Sequence, residues 1–451
     1  MHNQDMSDGK PVALVQLPFP SQGDPEPALC SYYSLYEHLY RQILPSYETS
    51  AGDLWEAPLW VAHLDGALGR DDTTFIDLSL ESADPYACCA QIERRLSAPA
   101  NVLMSPLAQN FHLAVETSRL LRQSGHVTVL GGNMARLAKP TDFDVVFIGQ
   151  ADAGLYEQIQ NHGAGIAGAW PQLGKREKAR GFRPSYRLLR GFAERVSLIR
   201  LNASHGCLFG CTFCGDGWSR QLQVVPYEDL EREFDEIEDT FSSINIVYVG
   251  DKTFGQSPEA VENLIRVSQK RRRRYRFIVQ THVSMINDWL LDALDRLGAE
   301  VVEMGFETAD EQLLKAVHKY GNAASYRTAL ERLQSRGKSV ILNVLGGLPF
   351  QTEETHAATL NFLRETSDVT YLYNLYNFVP YPETPLFASL KARIVDWDFS
   401  HWREDMPVVF EPYTLTRERS WEMFLELVRE CENLCAKRAR SLSTYADIIH
   451  A

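Results

Sequence analysis

Short hydrophobic runs and amphipathic segments alternate along the first third of the chain. Residues 12–17 form such a run, ended by prolines and a glycine, and this predicts a strand with its exit loop. Residues 111–123 carry apolar side chains at helical spacing and predict an amphipathic helix. Four further strands are predicted at residues 74–78, 101–105, 127–132 and 144–149. Strands that alternate with helices indicate a parallel, doubly wound sheet with helices on both faces.

A second alternating series begins at residue 196, after a charged stretch that contains glycines and a proline. Six strands are predicted there, at residues 196–201, 244–250, 276–281, 301–305, 340–345 and 370–374. Six βα units are enough to curl into an open barrel, in which chemistry collects at the C-terminal ends of the strands. We therefore predict an α/β fold of four parts: a Rossmann-like domain (1–170), a linker (171–195), an open (β/α)₆ barrel (196–390) and a C-terminal helical extension (391–451).

Composition narrows the function classes. The chain has 451 residues, of which 45 % are hydrophobic, and its formal net charge is −14. The apolar content excludes a disordered chain, and the acidic balance disfavours duplex nucleic acid, so we expect a neutral or cationic small molecule as substrate. No run of eighteen apolar residues is present, which excludes a transmembrane helix. Because the first ten residues are polar, we expect a cytoplasmic protein.

Three of the eight cysteines suggest a metal centre. Cys207, Cys211 and Cys214 lie in one short loop after a predicted strand. A [4Fe–4S] cluster usually takes four cysteine thiolates, so three of them would leave one iron open to a small molecule. A zinc site would need a fourth ligand such as His205, and this spacing is unusual for zinc. The spacing therefore favours the iron–sulfur cluster.

Two other groups of residues have plainer interpretations. Cys431 and Cys435 share one face of a predicted helix without a further ligand in view, and are interpreted as packed thiols. The aromatic residues near the sixth barrel strand are interpreted mostly as core, with one or two of them lining a substrate pocket: Tyr371, Tyr373, Tyr376 and Phe378.

The cysteine loop resembles the signature of the radical S-adenosylmethionine (SAM) superfamily, Cys-x₃-Cys-x-aromatic-Cys, with Phe213 at the aromatic position. Four later segments are similar to further motifs of that family and follow in the same order. They are residues 248–254, with Lys252 in place of a second Asp, residues 304–308, residues 346–354, and residues 380–386, with Glu383 in place of Gly. The resemblance covers roughly residues 196–390.

The resemblance implies that the cofactors carry out the radical chemistry and that the protein binds and orients them. In this family the open iron chelates the amino and carboxylate groups of SAM, and an electron from the cluster cleaves a carbon–sulfur bond. The 5′-deoxyadenosyl radical that results abstracts a hydrogen atom from the substrate. By this resemblance, the cofactor-binding residues are Phe213, Asp251, Glu307, Asn343 and Gly346. For Glu307, a structural ion pair is the alternative.

The N-terminal part is similar to the cobalamin-binding-like domain that precedes the barrel in one class of these enzymes. Such domains often carry Asp-x-His-x-x-Gly, whose His is the lower ligand of cobalamin. Here His63 and Gly66 match half of the motif, but Val61 stands in place of Asp and the segment predicts a helix. Because some members bind cobalamin without this His, cobalamin stays open as a cofactor beside the [4Fe–4S] cluster and SAM.

The domain order and the compact C-terminal part are most similar to the radical SAM diol dehydratases of aminoglycoside biosynthesis. These enzymes dehydrate a pseudodisaccharide such as paromamine, and a separate NADPH-dependent reductase completes the deoxygenation. The resemblance implies a cationic aminosugar as substrate, with an electron donor and such a reductase as partners. Asp216, Glu303 and Glu383 lie beside barrel motifs and are the predicted catalytic carboxylates, which would also pair with substrate ammonium groups.

Two alternatives stay open beside the dehydratase. One is a cobalamin-dependent radical SAM methyltransferase that acts on an unactivated carbon. The other is a non-enzymatic iron–sulfur redox sensor that binds a partner protein, which leaves the motifs at residues 305–307 and 346–349 unexplained.

Overall fold

The computed structural model describes residues 9–20, 26–44, 57–149, 151–162, 165–167, 183–215, 220–382 and 384–449. Its strands, in chain order, are β1 (Val12–Gln16), β2 (Thr73–Asp77), β3 (Asn101–Met104), β4 (Val127–Leu130), β5 (Val145–Phe147), β6 (Gly165–Ala167), β7 (Ile199–Leu201), β8 (Ser204–Gly206), β9 (Leu222–Val224), β10 (Ile246–Val249), β11 (Arg276–Thr281), β12 (Ala299–Glu307), β13 (Ser339–Gly346) and β14 (Leu372–Asn377). Its helices are α1 (Pro27–Ile43), α2 (Leu59–Leu68), α3 (Pro85–Arg95), α4 (Phe111–Gln123), α5 (Leu155–His162), α6 (Tyr227–Thr240), α7 (Pro258–Lys270), α8 (Asp288–Leu297), α9 (Glu311–Ala316), α10 (Ala323–Ser335), α11 (Glu353–Glu365), α12 (Pro385–Leu390) and α13 (Arg417–Ile449).

The first of two compact units comprises Met1–Ser21, Trp60–Arg190 and Asp398–Ser400. Its sheet has the strand order β2-β1-β3-β4-β5-β6, and every neighbouring pair is parallel. The apolar residues of β1 are fully buried, which is typical of a parallel sheet covered on both faces. The predicted parallel sheet is confirmed. Because the strand order changes direction at β1, the carboxyl ends of β1 and β3 flank the crevice where such sheets bind ligands.

The second unit comprises Gln22–Leu59, Gly191–Trp397 and His401–Ala451. Six parallel strands lie in the order β14-β13-β12-β11-β10-β7, so each strand lies beside the previous one of the series. In the described residues β7 and β14 each have one neighbour, which makes them the two edges of the predicted open (β/α)₆ barrel. The carboxyl ends of all six strands therefore meet at one rim, where the predicted motifs lie.

Helix α1 differs from the prediction, which placed residues 1–170 in one domain. This helix lies between β1 and β2 in the sequence, but it belongs to the barrel unit, where it packs against α13 and β14. The hydroxyl of Tyr33 donates to the carbonyl oxygen of Leu375 at 3.0 Å, and the hydroxyl of Tyr32 donates to that of Tyr373. Since an edge strand exposes backbone groups that need partners, α1 satisfies the edge of β14.

Helix ends follow their sequence signals closely. At α8 the side chain of Asn287 accepts a hydrogen bond from the backbone N–H of Leu290, and Gly298 ends the helix at φ 79°.

In the long helix α13, Cys431 and Cys435 are buried, and burial raises the pKa of Cys435 to about 12, as suits packed thiols. Among the helices of the described residues, none is both long and apolar enough to span a lipid bilayer.

Candidate active site

The cysteine loop leaves the barrel from a small antiparallel sheet formed by β8 and β9. Gly206, the last residue of β8, has φ 89°, a conformation that favours glycine and turns the chain into the loop. In the middle of the loop, the N–H of Thr212 donates to the carbonyl of Val317 at 3.0 Å. The carbonyl of Thr212 in turn accepts from the N–H of Leu386 at 3.0 Å. The loop is thus fixed both at its base and at its centre.

The three thiols lie close enough to influence one another. Cys207 and Cys211 are 8 % and 9 % exposed, and Cys214 is half-buried. Burial raises the pKa of Cys211 to about 11; the Lys319 ammonium opposes this, while the other two thiols add to it. Without metal the Cys211 thiol is therefore protonated at neutral pH, and binding of positively charged iron would release its proton.

Soft thiolate donors in one fixed loop fit an iron–sulfur cluster. In the part of the chain that the structure describes, no three His, Cys, Asp or Glu side chains converge on a single metal ion. A [4Fe–4S] cluster does not need such convergence, because each cysteine binds a different iron atom of the cluster.

Two side chains from the loop after β10 contact the first cysteine. The Oγ1 of Thr253 lies 3.7 Å from the Sγ of Cys207, and the Nε2 of Gln256 donates to the same sulfur at 3.6 Å. The Oε1 of Gln256 also accepts from the N–H of Leu208 at 2.7 Å. Hydrogen bonds to a ligating sulfur adjust the reduction potential of a cluster, so these two residues are suited to that role.

Asp251 holds the turn that precedes the cysteine loop. Its Oδ1 accepts from the N–H groups of Ala203 at 2.7 Å and Ser204 at 3.0 Å, and its Oδ2 accepts from the hydroxyl of Ser204. The carboxyl is 3 % exposed, and burial raises its pKa to about 6 although these hydrogen bonds oppose the rise. Both oxygens therefore position the backbone, and the role of Asp251 as a SAM ligand stays a prediction.

Glu307, at the end of β12, forms a buried ion pair. Its Oε1 lies 3.0 Å from the Nζ of Lys319, and the two side chains are 9 % and 8 % exposed. A β-bulge precedes Glu307, whose φ of 67° is unusual for a residue with a side chain. A Cβ atom at Gly305 would lie 2.7 Å from that Nζ, so the glycine gives the pair its space. The structural ion pair is confirmed, and SAM binding by Glu307 stays a prediction.

The two predicted cofactor residues of β13 have structural partners. The Oδ1 of Asn343 accepts from the Nδ2 of Asn374 at 2.9 Å. At Gly346 a Cβ atom would lie 2.7 Å from the ring of Phe424, so the glycine lets α13 pack closely against the strand. Their contacts with SAM remain predictions.

A cavity of about 480 Å³ lies in the barrel unit between α1 and the strands. The hydroxyl of Tyr248 donates to the Oε2 of Glu303 at 2.8 Å, and the guanidinium carbon of Arg200 lies 4.0 Å from the centre of the Tyr248 ring. In the same cavity, the hydroxyl of Tyr36 donates to the Oδ1 of Asn374 at 2.8 Å. The cavity is lined by Tyr33, Tyr36, Glu37, Tyr40, Arg200, Tyr248, Glu303, Asn374 and Tyr376.

The barrel motifs and this geometry agree with a family comparison. Residues 201–363 match the family model described as the Radical SAM superfamily. This part of the chain is a radical SAM domain. The superfamily is characterised by a [4Fe–4S] cluster and SAM, the two cofactors that the cysteine loop predicts.

A curated relative and two solved structures extend the comparison. The chain is 23 % identical over 252 residues to bacteriochlorophyllide d C-12(1)-methyltransferase of Chlorobaculum tepidum, and spans only 54 % of that protein. The radical SAM methyltransferase TsrM from Kitasatospora setae, solved with cobalamin and a [4Fe–4S] cluster, has a TM-score of 0.61 at 13 % identity, over 93 % of this chain and 89 % of its own. The cobalamin-dependent enzyme OxsB, solved with aqua-cobalamin and SAM, has a TM-score of 0.57 at 16 % identity, over 94 % and 62 %. The fold is therefore that of the class with an N-terminal cobalamin-binding-like domain, as predicted.

Of the three predicted catalytic carboxylates, the structure describes one. Glu303 lines the cavity. Asp216 and Glu383 lie outside the described residues, so their roles stay predictions. Phe213 is half-buried on the cysteine loop. Among the aromatic residues near the sixth strand, Tyr376 lines the cavity, as predicted for one or two of them.

Sequence reasoning missed the wall that α1 contributes to the cavity of the radical SAM domain. Tyr33, Tyr36 and Tyr40 follow each other at helical spacing, and this was the available signal. An aromatic stripe of this kind is also typical of a helix packed in a core, so the pattern alone does not reveal a cavity. Thr253, Gln256 and Lys319 were missed as well, because only the folded chain brings them to the cysteines.

Proposed function

We propose that the chain is a radical SAM methyltransferase that uses cobalamin to methylate an unactivated carbon of a small molecule. The observation that carries this proposal is the fold similarity to a cobalamin-containing methyltransferase over 93 % of the chain, which includes the N-terminal sheet. The curated relative is also named a methyltransferase. These names favour methyl transfer, the alternative in the sequence analysis, over the dehydration of an aminoglycoside.

The residues present fit the three cofactors. The thiolates of Cys207, Cys211 and Cys214 would hold the cluster, whose open iron would take SAM, with Glu307 and Asn343 as its proposed polar partners. When bound, the cluster supplies the electron that cleaves SAM, and cobalamin carries the methyl group between SAM and substrate.

The carboxyl edge of the N-terminal sheet suits a broad apolar macrocycle with amide groups at its rim. Phe19, Leu80 and Leu107 follow β1, β2 and β3, and are 46 %, 67 % and 49 % exposed. Beside them, the Oε1 of Gln109 and the Oδ1 of Asn110 are buried acceptors without a hydrogen-bond partner. This edge includes the crevice at β1 and β3 where such sheets bind ligands.

The chain matches only half of the motif that supplies the lower ligand of cobalamin, and the structure explains the glycine of that half. His63 and Gly66 lie within α2, as the pattern predicts. A Cβ atom at Gly66 would lie 1.8 Å from the carbonyl oxygen of Arg183, so the glycine makes room for a neighbouring segment. We therefore propose that cobalamin binds without a lower ligand from this motif.

The overall stoichiometry of the proposed reaction is balanced with an external electron donor. One substrate R–H, two SAM cations and two electrons give R–CH₃, methionine, 5′-deoxyadenosine and S-adenosylhomocysteine. The chain's own residues would orient the substrate in the cavity beside Glu303 and Tyr248, and the tyrosine wall would keep water out.

The test measures the transfer of a methyl group from SAM to cobalamin, which needs no substrate. The full chain is reconstituted anaerobically with iron, sulfide and cobalamin, then reduced and mixed with SAM carrying a deuterated methyl group. We expect about one equivalent of S-adenosylhomocysteine per bound cobalamin, measured by mass spectrometry, and none when cobalamin is omitted. Cleavage to 5′-deoxyadenosine without any S-adenosylhomocysteine would overturn methyl transfer and favour the dehydratase.

A further inference from the structure

Gln256 lies beside the first cysteine of the loop, on a segment whose backbone is held from both sides. The N–H of Phe254 donates to a carbonyl of β11 at 2.7 Å, and the hydroxyl of Thr281 donates to the carbonyl of Phe254 at 2.7 Å. Ser257, the next residue along the chain, caps helix α7 by accepting from the N–H of Ala260 at 3.2 Å. Strand β11 and helix α7 therefore fix the place of Gln256.

Two backbone groups determine which way the amide of Gln256 faces. Its Oε1 accepts from the N–H of Leu208 at 2.7 Å, and its Nε2 donates to the carbonyl of Thr253 at 3.2 Å. If the amide were rotated by half a turn, two donors would face each other at Leu208 and two acceptors would face each other at Thr253. The amide oxygen therefore stays at Leu208, and the amide nitrogen stays beside the cysteine.

The amide nitrogen of Gln256 has a second hydrogen, and the sulfur of Cys207 is the acceptor for it. Nε2 lies 3.6 Å from that Sγ. The hydroxyl of Thr253, 3.7 Å from the same sulfur, has one hydrogen only, and the carbonyl of Lys252 accepts it at 2.8 Å. Of the two side chains beside this sulfur, Gln256 is therefore the stronger donor.

A donor at a ligating sulfur favours the reduced form of an iron–sulfur cluster. Reduction adds a negative charge that the cysteine sulfurs share, and a hydrogen bond is about twice as strong when its acceptor is ionised. Cys207 is buried, so water competes little for its sulfur. Gln256 thus presents a fixed donor at the place where charge increases on reduction.

We propose that Gln256 is a positioning residue that raises the reduction potential of the cluster by donating to the sulfur of Cys207. The same amide holds the backbone of Leu208, so one side chain both fixes the start of the loop and adjusts its electrostatics. The inference rests on the proposed function only for the cluster at these cysteines, and it does not depend on methyl transfer.

The test measures the midpoint potential of the cluster in the full chain, reconstituted anaerobically with iron and sulfide and kept free of SAM. Electron paramagnetic resonance follows the reduced cluster as dithionite lowers the solution potential in the presence of redox mediators. Gln256→Leu removes the donor, and Gln256→Glu keeps an oxygen for the N–H of Leu208 but replaces the donor by a second oxygen. At pH 8 we expect the equilibrium constant of reduction to fall about tenfold in each variant, which makes the potential more negative by about 59 mV for one electron.

Two further variants serve as controls. Thr253→Val removes the other polar group beside the sulfur and should lower the equilibrium constant by less than about threefold. Gln269→Leu removes an exposed amide from α7 and should leave the potential unchanged. Iron and sulfide per chain are measured for every variant, because a purely structural role would reduce the amount of cluster without moving the potential of the clusters that form.

Three results would overturn the proposal. The first is a Gln256→Leu potential that corresponds to less than about a twofold change, and the second is a larger shift in Thr253→Val than in Gln256→Leu. The third is failure of both Gln256 variants to assemble a cluster, since the residue would then act on the fold of the loop alone. Because no SAM is present, the shift in potential and the formation of S-adenosylhomocysteine succeed or fail separately.

Discussion

Replacing Asp251 by asparagine separates a positioning role from a direct contact with SAM. The asparagine keeps one oxygen that can accept from the backbone N–H groups of Ala203 and Ser204, and its amide can donate to the Ser204 hydroxyl. The cysteine loop should therefore stay in place, and we expect the variant to keep its cluster and to bind SAM with an affinity within about threefold of the natural protein.

The same substitution has a predicted effect on stability. Burial raises the pKa of Asp251 from 3.8 to about 6, so ionising the folded protein costs on the order of 3 kcal/mol, at about 1.4 kcal/mol per pKa unit. A raised pKa means that the stabilisation is present below pH 4 and is lost as the pH rises through 6. The asparagine side chain cannot ionise, so the stability of the variant relative to the natural protein should increase between pH 4 and pH 7.

Unfolding of the cluster-free, reduced protein in urea at pH 4 and pH 7 measures this difference, and equilibrium dialysis measures SAM binding. Asp251→Ala is the companion variant: it leaves two buried N–H groups without an acceptor, at about 1–3 kcal/mol each, and should lose cluster content. The reasoning is refuted if the asparagine variant keeps its cluster but loses SAM affinity tenfold, because Asp251 would then act on SAM through its charge.

Three further predictions concern the cluster and the buried ion pair. Cys211→Ala should abolish the iron–sulfur absorption and 5′-deoxyadenosine formation, whereas Cys431→Ala should keep both; loss of the cluster in the second variant would contradict the loop assignment. Lys319→Met leaves Glu307 buried without its partner and should lower the free energy of unfolding by about 3–5 kcal/mol in urea; a change below about 1 kcal/mol would show that the pair contributes little. Gly305→Ala crowds both charged groups and should cost about 1–3 kcal/mol by the same assay, with an unchanged value arguing against the close contact.

Local sequence signals predicted elements whose ends are set by nearby residues. Helix α4 has its predicted bounds, residues 111–123, because its apolar side chains recur at helical spacing over that length, and strand β11 has its predicted bounds because an apolar run ends where the chain turns. Strand β12 continues to Glu307, two residues beyond the prediction, because a β-bulge carries the chain past Gly305. Local patterns do not encode such irregularities.

The residues that contact Cys207 and Glu307 could not be predicted from local sequence patterns, for a different reason. The cysteine spacing predicted the loop, but Thr253 and Gln256 lie 46 and 49 residues from Cys207 in the sequence. The pairing of Lys319 with Glu307 depends on the path of the chain around α9. Single-sequence reasoning therefore predicted the three cysteines as cluster ligands, but it did not predict the residues that the structure places beside them.

The position of α1 in the sequence has a consequence for synthesis. Tyr32 hydrogen-bonds to the carbonyl of Tyr373, 341 residues later, so the helix leaves the ribosome long before the strand that it covers. At about 5–20 residues per second, the delay is roughly 20–70 s. During that time the tyrosine face of α1 has neither β14 nor α13 to pack against, and it is available to chaperones or to other nascent chains. Synthesis of α13 ends this period, so the tyrosine wall of the cavity is complete only after both β14 and α13 have been made.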